Sequence, residues 1–239
     1  MTVFNPPIRE YIKGGGYIEL EEMLGDDLTP ARVARISYLS EGTEEANKKL
    51  VKKLIDLGHE TPFEQQVFRF LIHGIPMYIG EQLLRHRIAS PLKRSFRYTH
   101  PQKGIEQDRW DSVEFLNSLV HVPPEFLGLR EYHIQESDKL FKEVMEHFKK
   151  SFDLYNKLVE NGLRKEAARC VLPWGMRTTL YWTMNMRSIM NLMRLRLNKA
   201  AQWEMRELAK AMARILLKVV PITFEYFLEK HDLRKLLDE

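Results

Sequence analysis

The sequence predicts an α+β fold that is mostly helical, with a small central antiparallel or mixed sheet in a single domain. Apolar residues recur at three- and four-residue steps over long stretches, most clearly at residues 135–161. Runs of β-branched and aromatic residues are few, short and scattered between the helices. The 239 residues, 44% of them hydrophobic, suffice for one core. We expect an N-terminal arm over residues 1–16 and a single catalytic domain over residues 17–239, with a loop-rich excursion at residues 99–130.

Local signals place the elements of the first hundred residues. Alternation at Tyr17 favours a strand, and Thr29 with Pro30 provides a cap and a first-turn proline for a helix. Glu44 and Glu45 suit the first turn of the next helix. The elements expected are a strand at 17–20, helices at 29–38 and 43–57, a helical turn at 61–64, a strand at 67–72 and a helix that begins at Pro76 and runs into Arg85.

The second half is more strongly helical. Gly162 ends the longest helix, and Pro173 stops a shorter one. Pro221 suits the first turn of the last helix. The elements expected are helices at 135–161, 165–172, 188–198 and 201–219, a strand at 178–183 and a final helix from Pro221.

Composition narrows the classes of function. The net charge is only +4, which is less than a nucleic-acid-binding protein usually carries. The single cysteine, Cys170, excludes an internal disulfide framework, and no metal site is predicted. No apolar run is long enough for a transmembrane helix. The N-terminus lacks a signal pattern, so a cytoplasmic location is expected.

The most informative stretch is Arg85–Tyr98, which holds five arginines or lysines, one histidine and two serines. Cationic side chains and hydroxyls at this density suit phosphate groups. A solvated basic loop is an equally good interpretation of such a run taken alone.

Other polar residues extend the candidate site. Arg169 and Arg196 lie in apolar surroundings, where a buried guanidinium needs an anion: a ligand, or an acid such as Glu166. Amides suited to reading a pyrimidine or flavin edge stand at Gln82, Asn185 and Asn191. His59, Glu60 and Glu64 do not form a zinc pattern, because no second histidine falls at helical spacing. Cys170 is interpreted as a small core residue, since only Arg169 beside it favours a thiolate.

Arg85-His86-Arg87 with Ser90, Ser95, Arg97 and Tyr98 resembles the RHRxxSxNxxSxRY motif of flavin-dependent thymidylate synthases. Further blocks resemble the family in the same order, over about residues 17–228: residues 34–38, 58–64, 168–173, 185–188, 195–196 and 201–204. The resemblance implies reductive methylation of dUMP to dTMP, and dUMP or a related pyrimidine nucleotide as the molecule bound. It implies FAD as cofactor, methylene-tetrahydrofolate and NADPH as co-substrates, and a homotetramer whose active sites combine several subunits.

The resemblance also implies roles for individual residues. The FAD-binding residues would be Thr61, Arg85, His86, Arg87, Lys93, Asn185, Arg187 and Asn191. The nucleotide-binding residues would be Gln82, Arg85, Arg94, Ser95, Phe96, Arg97, Arg169 and Arg196. Arg196 would be the catalytic residue, favouring ionisation of the uracil and raising electron density at its C5. No enzyme thiol is needed in this scheme.

The chain departs from the motif at two positions. Leu92 replaces the asparagine, and Lys93 replaces the acidic residue that often follows. Three hypotheses therefore stay open: a divergent thymidylate synthase, a paralogue that modifies another pyrimidine nucleotide or uses another one-carbon donor, and a non-catalytic nucleic-acid-binding protein.

Overall fold

The computed structural model describes residues 1–101, 118–130 and 134–238. The chain divides into two compact units. The first consists of Met1–His73, Leu83–Leu92 and Tyr181–Glu239, and the second of Gly74–Gln82 and Lys93–Leu180. The expected division into an arm and one catalytic domain stays a prediction.

Eight α-helices and four short 3₁₀ turns occur in the described residues. The helices are α1 (Thr29–Ala34), α2 (Glu44–Asp56), α3 (Met77–Leu83), α4 (Ser137–Glu160), α5 (Lys165–Ala168), α6 (Met186–Arg196), α7 (Trp203–Val219) and α8 (Pro221–Lys230). The 3₁₀ turns are Arg35–Tyr38, Thr61–Gln65, Arg169–Val171 and Arg234–Leu237. None of the helices in this part of the chain is both long and apolar enough to cross a membrane.

Five strands form one sheet in the order β1-β2-β3-β5-β4. They are β1 (Thr2–Tyr11), β2 (Tyr17–Leu24), β3 (Val67–Pro76), β4 (Ser90–Lys93) and β5 (Arg177–Asn185). β1 pairs antiparallel with β2, and β2 pairs antiparallel with β3, where Leu20 lies opposite Phe70. The α+β prediction, mostly helical around a small sheet, is confirmed.

The core of the first unit lies between the sheet and α7. Phe68, Phe70 and Ile72 alternate along β3 and are fully buried, as the period of two requires. α7 packs on β1 and β2 and buries apolar residues such as Leu208 and Met212. The apolar residues whose periodicity predicts helix α7 therefore form the face of the helix that covers the sheet.

The second unit has its own core. Phe96, Val120, Met145, Phe152 and Met176 form a buried apolar cluster. The α4 helix contributes the face whose residues recur every three or four positions. This cluster anchors Phe96, near the end of the basic stretch Arg85–Tyr98.

Helix and strand predictions are confirmed with small shifts of their ends. Thr43 caps α2 by accepting a hydrogen bond from Ala46 N–H at 3.3 Å. Two strands were not expected. β1 lies within the predicted arm, and β4 lies within the basic stretch, where Pro91 is tolerated because the strand stands at the edge of the sheet. Half of the predicted excursion at residues 99–130, residues 102–117, lies outside the described residues.

Candidate active site

The first unit contains a cavity of about 690 Å³ built from three segments of the chain. The segments are the 3₁₀ turn that follows α2, the connection between α3 and β4, and the end of β5 with α6. The lining residues are Glu60, Glu64, Arg85, His86, Arg87, Ile88, Met184, Asn185, Arg187, Ser188, Asn191, Arg194, Leu195 and Arg196. Six of the eight predicted cofactor residues therefore lie together, with Arg196 among them.

The start of α6 positions one wall of this cavity. Asn185 caps the helix, because its side-chain oxygen accepts the Ser188 N–H at 2.9 Å. Met186 N–H donates to the Gln66 carbonyl at 2.8 Å, which ties the helix to the end of the 3₁₀ turn. Arg187 and Asn191 follow at helical spacing on the exposed face of α6. The cap therefore fixes the start of α6 so that Arg187 and Asn191 line the same wall of the cavity.

The Arg-His-Arg motif supplies a second wall, and its histidine contacts Arg196. Arg196 Nε donates a hydrogen bond to His86 Nε2 at 3.0 Å. Burial, and then the charge of Arg196, lower the pKa of His86 to about 4. The ring is consequently neutral at pH 7, and it accepts at Nε2 while the proton resides on Nδ1.

Two glutamates hold two of the arginines. Glu64 forms an ion pair with Arg187, and Glu60 forms one with Arg194. Arg187 Nε also lies 3.7 Å from the Glu60 carboxylate. Five arginines and two glutamates line the cavity, which leaves three positive charges when His86 is neutral. The site therefore favours an anionic ligand.

The second unit contains a separate cavity of about 370 Å³. It is lined by Met77, Phe96, Glu166, Arg169, Cys170, Leu172, Pro173, Trp174 and Met176. Arg97 forms an ion pair with Glu166 at 3.1 Å, and Arg169 Nε donates to the Glu166 carbonyl at 3.1 Å. Two of the predicted nucleotide residues, Arg97 and Arg169, thus bond to Glu166, and a third, Phe96, lines the same cavity.

Arg94 and Lys93 are bound within the second unit. Arg94 donates to the His100 carbonyl at 2.8 Å and to the Thr99 hydroxyl at 3.2 Å, and burial lowers its pKa. Lys93 forms an ion pair with Glu81 of α3. Both cations contact protein groups here, so a role in ligand binding stays a prediction for each.

The remaining predicted residues lie outside both cavity linings. Ser95 accepts the backbone N–H of Arg97 at 3.3 Å through its hydroxyl. Gln82 lies on α3, and Thr61 is the exposed first residue of the 3₁₀ turn. Their roles in binding stay predictions.

Two expectations about burial are wrong. Cys170 is exposed and lines the smaller cavity, so it is not a core residue. Arg169 is exposed as well. The apolar residues around these two positions suggested burial, but the 3₁₀ turn Arg169–Val171 directs both side chains outward. Arg196 is half-buried, as its apolar surroundings suggest.

Sequence reasoning missed the part that Glu60 and Glu64 play in the larger cavity. The glutamates were considered only as metal ligands, and their partners lie more than 120 positions away in the chain. The signal that could have found them is the family-like block at residues 58–64, which contains both glutamates.

Fold and cavity together define a class: an α+β protein whose arginine-rich cavity suits a phosphorylated nucleotide. Comparison with known proteins identifies the family. The profile described as "Thymidylate synthase complementing protein" matches residues 19–222. The flavin-dependent thymidylate synthase of Kosmotoga olearia is 38% identical over 221 residues, with 89% of this chain and 90% of that protein covered. The Thermosipho africanus enzyme of the same name is 37% identical over 228 residues, covering 92% and 95%.

The chain belongs to the flavin-dependent thymidylate synthase family. A solved structure supports the fold: the UMP/dUMP methylase PolB from Streptomyces cacaoi, bound with 5-Br dUMP, matches with a TM-score of 0.74. It is 23% identical, and the match covers 89% of this chain and 94% of that one.

Proposed function

We propose that this chain catalyses the reductive methylation of dUMP to dTMP, with FAD as cofactor, methylene-tetrahydrofolate as carbon donor and NADPH as reductant. The observation that carries the proposal is the larger cavity, which brings six predicted FAD residues together with Arg196, and in which one of the six, His86, bonds to Arg196. Family membership supports the flavin and the methyl transfer.

The lining residues fit FAD. A cavity of about 690 Å³ lies within the range of sites that bind ligands of this kind. Arg85, Arg87 and Arg187 would hold the phosphates, since guanidinium groups bind phosphate oxygens through paired N–H donors. Asn185 and Asn191 would bind polar edges of the cofactor. When bound, FAD supplies the hydride for reduction of the transferred carbon.

Arg196 would act on the uracil. Its hydrogen bond to His86 uses Nε, and within the part of the chain that the structure describes its two terminal nitrogens keep their four N–H donors for a ligand. A permanent cation beside the pyrimidine stabilises the anion that forms during methylation. Since His86 is neutral, it orients Arg196 without cancelling this charge.

The residues around the smaller cavity would contribute to nucleotide binding. Arg97 and Arg169 would bind the phosphate of dUMP, with the Ser95 hydroxyl beside them. The ion pair between Arg97 and Glu166 would break when Arg97 binds the phosphate. We further propose that the enzyme is a cytoplasmic homotetramer, as the family resemblance implies.

Two measurements test the function. The first is the visible absorption spectrum of the purified protein, which should show bound flavin. The second is tritium release from dUMP labelled at C5, in the presence of methylene-tetrahydrofolate and NADPH, together with dTMP formation. Bound flavin without tritium release or dTMP would contradict dUMP methylation. A colourless protein that binds nucleic acid in a salt-sensitive manner would favour the non-catalytic alternative.

A second candidate is a paralogue that modifies another pyrimidine nucleotide. Leu92 and Lys93 favour it, because the leucine is 71% exposed and cannot offer an amide, and the lysine binds Glu81. Assays with UMP and dUMP side by side decide between the two. Turnover of UMP with none of dUMP would establish the paralogue.

A further inference from the structure

We propose that Arg194 is a positioning residue of the larger cavity, which holds the Glu60 carboxylate away from Arg187 so that Arg187 keeps its charge for a cofactor phosphate. This inference rests on the proposed function, because it takes the ligand of the cavity to be FAD. Arg194 lies outside the RHRxxSxNxxSxRY motif of the family.

Arg194 is held on three sides. Its guanidinium lies 5.1 Å from the centre of the Phe227 ring, in a cation–π contact. Its Nη2 forms the ion pair with Glu60 and lies 3.4 Å from His231 Nε2. Its Nε is buried and has no hydrogen-bond partner among residues 1–101, 118–130 and 134–238. These contacts, two of them from α8 and its end, fix the guanidinium in one place.

Glu60 lies between two arginines. It bonds to Arg194, while Arg187 Nε stands 3.7 Å away, beyond hydrogen-bond distance. The Glu60 side chain is only 20% exposed, so its carboxylate needs a cationic partner. Arg187 is 47% exposed and already pairs with Glu64.

Removal of Arg194 therefore leaves Glu60 with one cation within reach. The carboxylate would move onto Arg187, which would then face two carboxylates, Glu60 and Glu64. Because a guanidinium paired on both sides offers less charge and fewer N–H groups to a phosphate, FAD would bind more weakly.

His231 supports this arrangement as an acceptor. Arginine has N–H donors only, so His231 Nε2 must accept. Burial, and then the charge of Arg194, lower the pKa of His231, with Lys230 acting in the same direction and Glu60 against it. A neutral ring places no second cation beside Arg194.

A suppression experiment tests the proposal. The variants are R194M, which keeps the aliphatic length, the double variant R194M/E60Q, and R214M as a control on α7, where Arg214 binds Glu10 outside the cavity lining. The measurement is the FAD dissociation constant, obtained from flavin fluorescence on titrating deflavinated protein. We expect R194M to weaken FAD binding by about tenfold or more, from the loss of charge-assisted contacts to the phosphate. We expect E60Q in the same chain to restore most of that loss, and R214M to bind like the wild type.

Each outcome bears on the proposal. Unchanged FAD binding in R194M would overturn it, and so would weakened binding that E60Q leaves uncorrected, because the loss would then not come from the charge of Glu60. The proposed function fails separately, if the wild-type protein itself does not bind FAD.

Discussion

Arg196 is held by a neutral histidine, His86, whose Nε2 lies 3.0 Å from the arginine Nε. The two residues stand 110 positions apart, so the contact joins the connection after α3 to the last residue of α6. A carboxylate in the place of His86 would offset the charge of Arg196 with a charge of opposite sign. The imidazole orients the guanidinium and leaves it a full cation, which is the property that a developing anion requires.

The low pKa of His86 predicts acid sensitivity. In the unfolded chain this residue takes up a proton near pH 6.5, and in the folded chain only near pH 4. Between these values the unfolded state binds more protons, so this contribution to stability is present above pH 6.5 and is lost as the pH falls toward 4. H86Q keeps an acceptor but does not titrate. Its melting temperature should fall less steeply than that of the wild type over this window, and parallel curves would contradict the assignment.

Arg196 should matter for chemistry more than for flavin binding. We expect R196A to lower the rate of tritium release from labelled dUMP by about 10²–10³-fold, since one electrostatic group at a reacting centre contributes that much. The flavin absorbance of the purified variant should persist, because five other predicted FAD residues besides His86 line the same cavity. Loss of flavin from R196A would contradict this division of roles.

The elements were predictable where the signals are local. The cap at Thr43 and the first-turn proline at Pro221 lie where helices α2 and α8 begin. β1 was not predictable, because it forms only through pairing with β2, and its register shifts between Val3 and Ile8. The local sequence does not reveal which strand a segment pairs with or in which register.

The candidate site divides in the same way. Arg85–Arg87 and the α6 residues are short motifs, and the structure brings them to one cavity. The ion pairs of Glu60 and Glu64 depend on side chains more than 120 positions away, which no local pattern reveals. Burial was mispredicted at Cys170, because apolar neighbours do not determine which way a 3₁₀ turn directs a side chain.

Cys170 should be dispensable for catalysis. It is exposed and lines the smaller cavity, where the described lining residues include no histidine that could act as its base. The variant C170A should release tritium from labelled dUMP at the wild-type rate. Abolished turnover, with the fold intact by circular dichroism, would point instead to a cysteine-dependent mechanism.

The Lys93–Glu81 pair should stabilise the start of the segment that leads to Arg97. The Lys93 side chain is only 18% exposed, so K93E would set two carboxylates together and cost about 1 kcal/mol in the free energy of unfolding. The double variant E81K/K93E restores opposite charges and should recover that loss in urea denaturation. K150E, which disrupts the more exposed Lys150–Glu146 pair on α4, serves as the control and should cost less. Equal losses for K93E and the swapped pair would contradict the ion-pair account.

The Glu10 carboxylate should stabilise the packing of β1 against α7. Its carboxylate accepts from Arg214 at 2.9 Å and from Lys218 at 2.6 Å. Burial raises the pKa of Glu10, but the hydrogen bonds from Lys218 and Arg214 outweigh it, and the pKa lies below its usual 4.5. The folded state therefore binds fewer protons, so the contribution is present above pH 4.5 and is lost as the pH falls below it.

The variant E10Q tests whether the charge of Glu10 stabilises the packing of β1 against α7. The amide keeps one acceptor but loses the charge, so the free energy of unfolding at pH 7 should fall by about 1 kcal/mol. E45Q, which weakens the exposed Glu45–Lys48 contact on α2, is the matched control and should have a smaller effect. Urea denaturation at pH 7 and at about pH 3 should show the E10Q difference shrinking in acid, because the wild-type carboxyl is then increasingly protonated. A difference that stays constant between the two pH values would mean that the charge of Glu10 does not hold β1 in place.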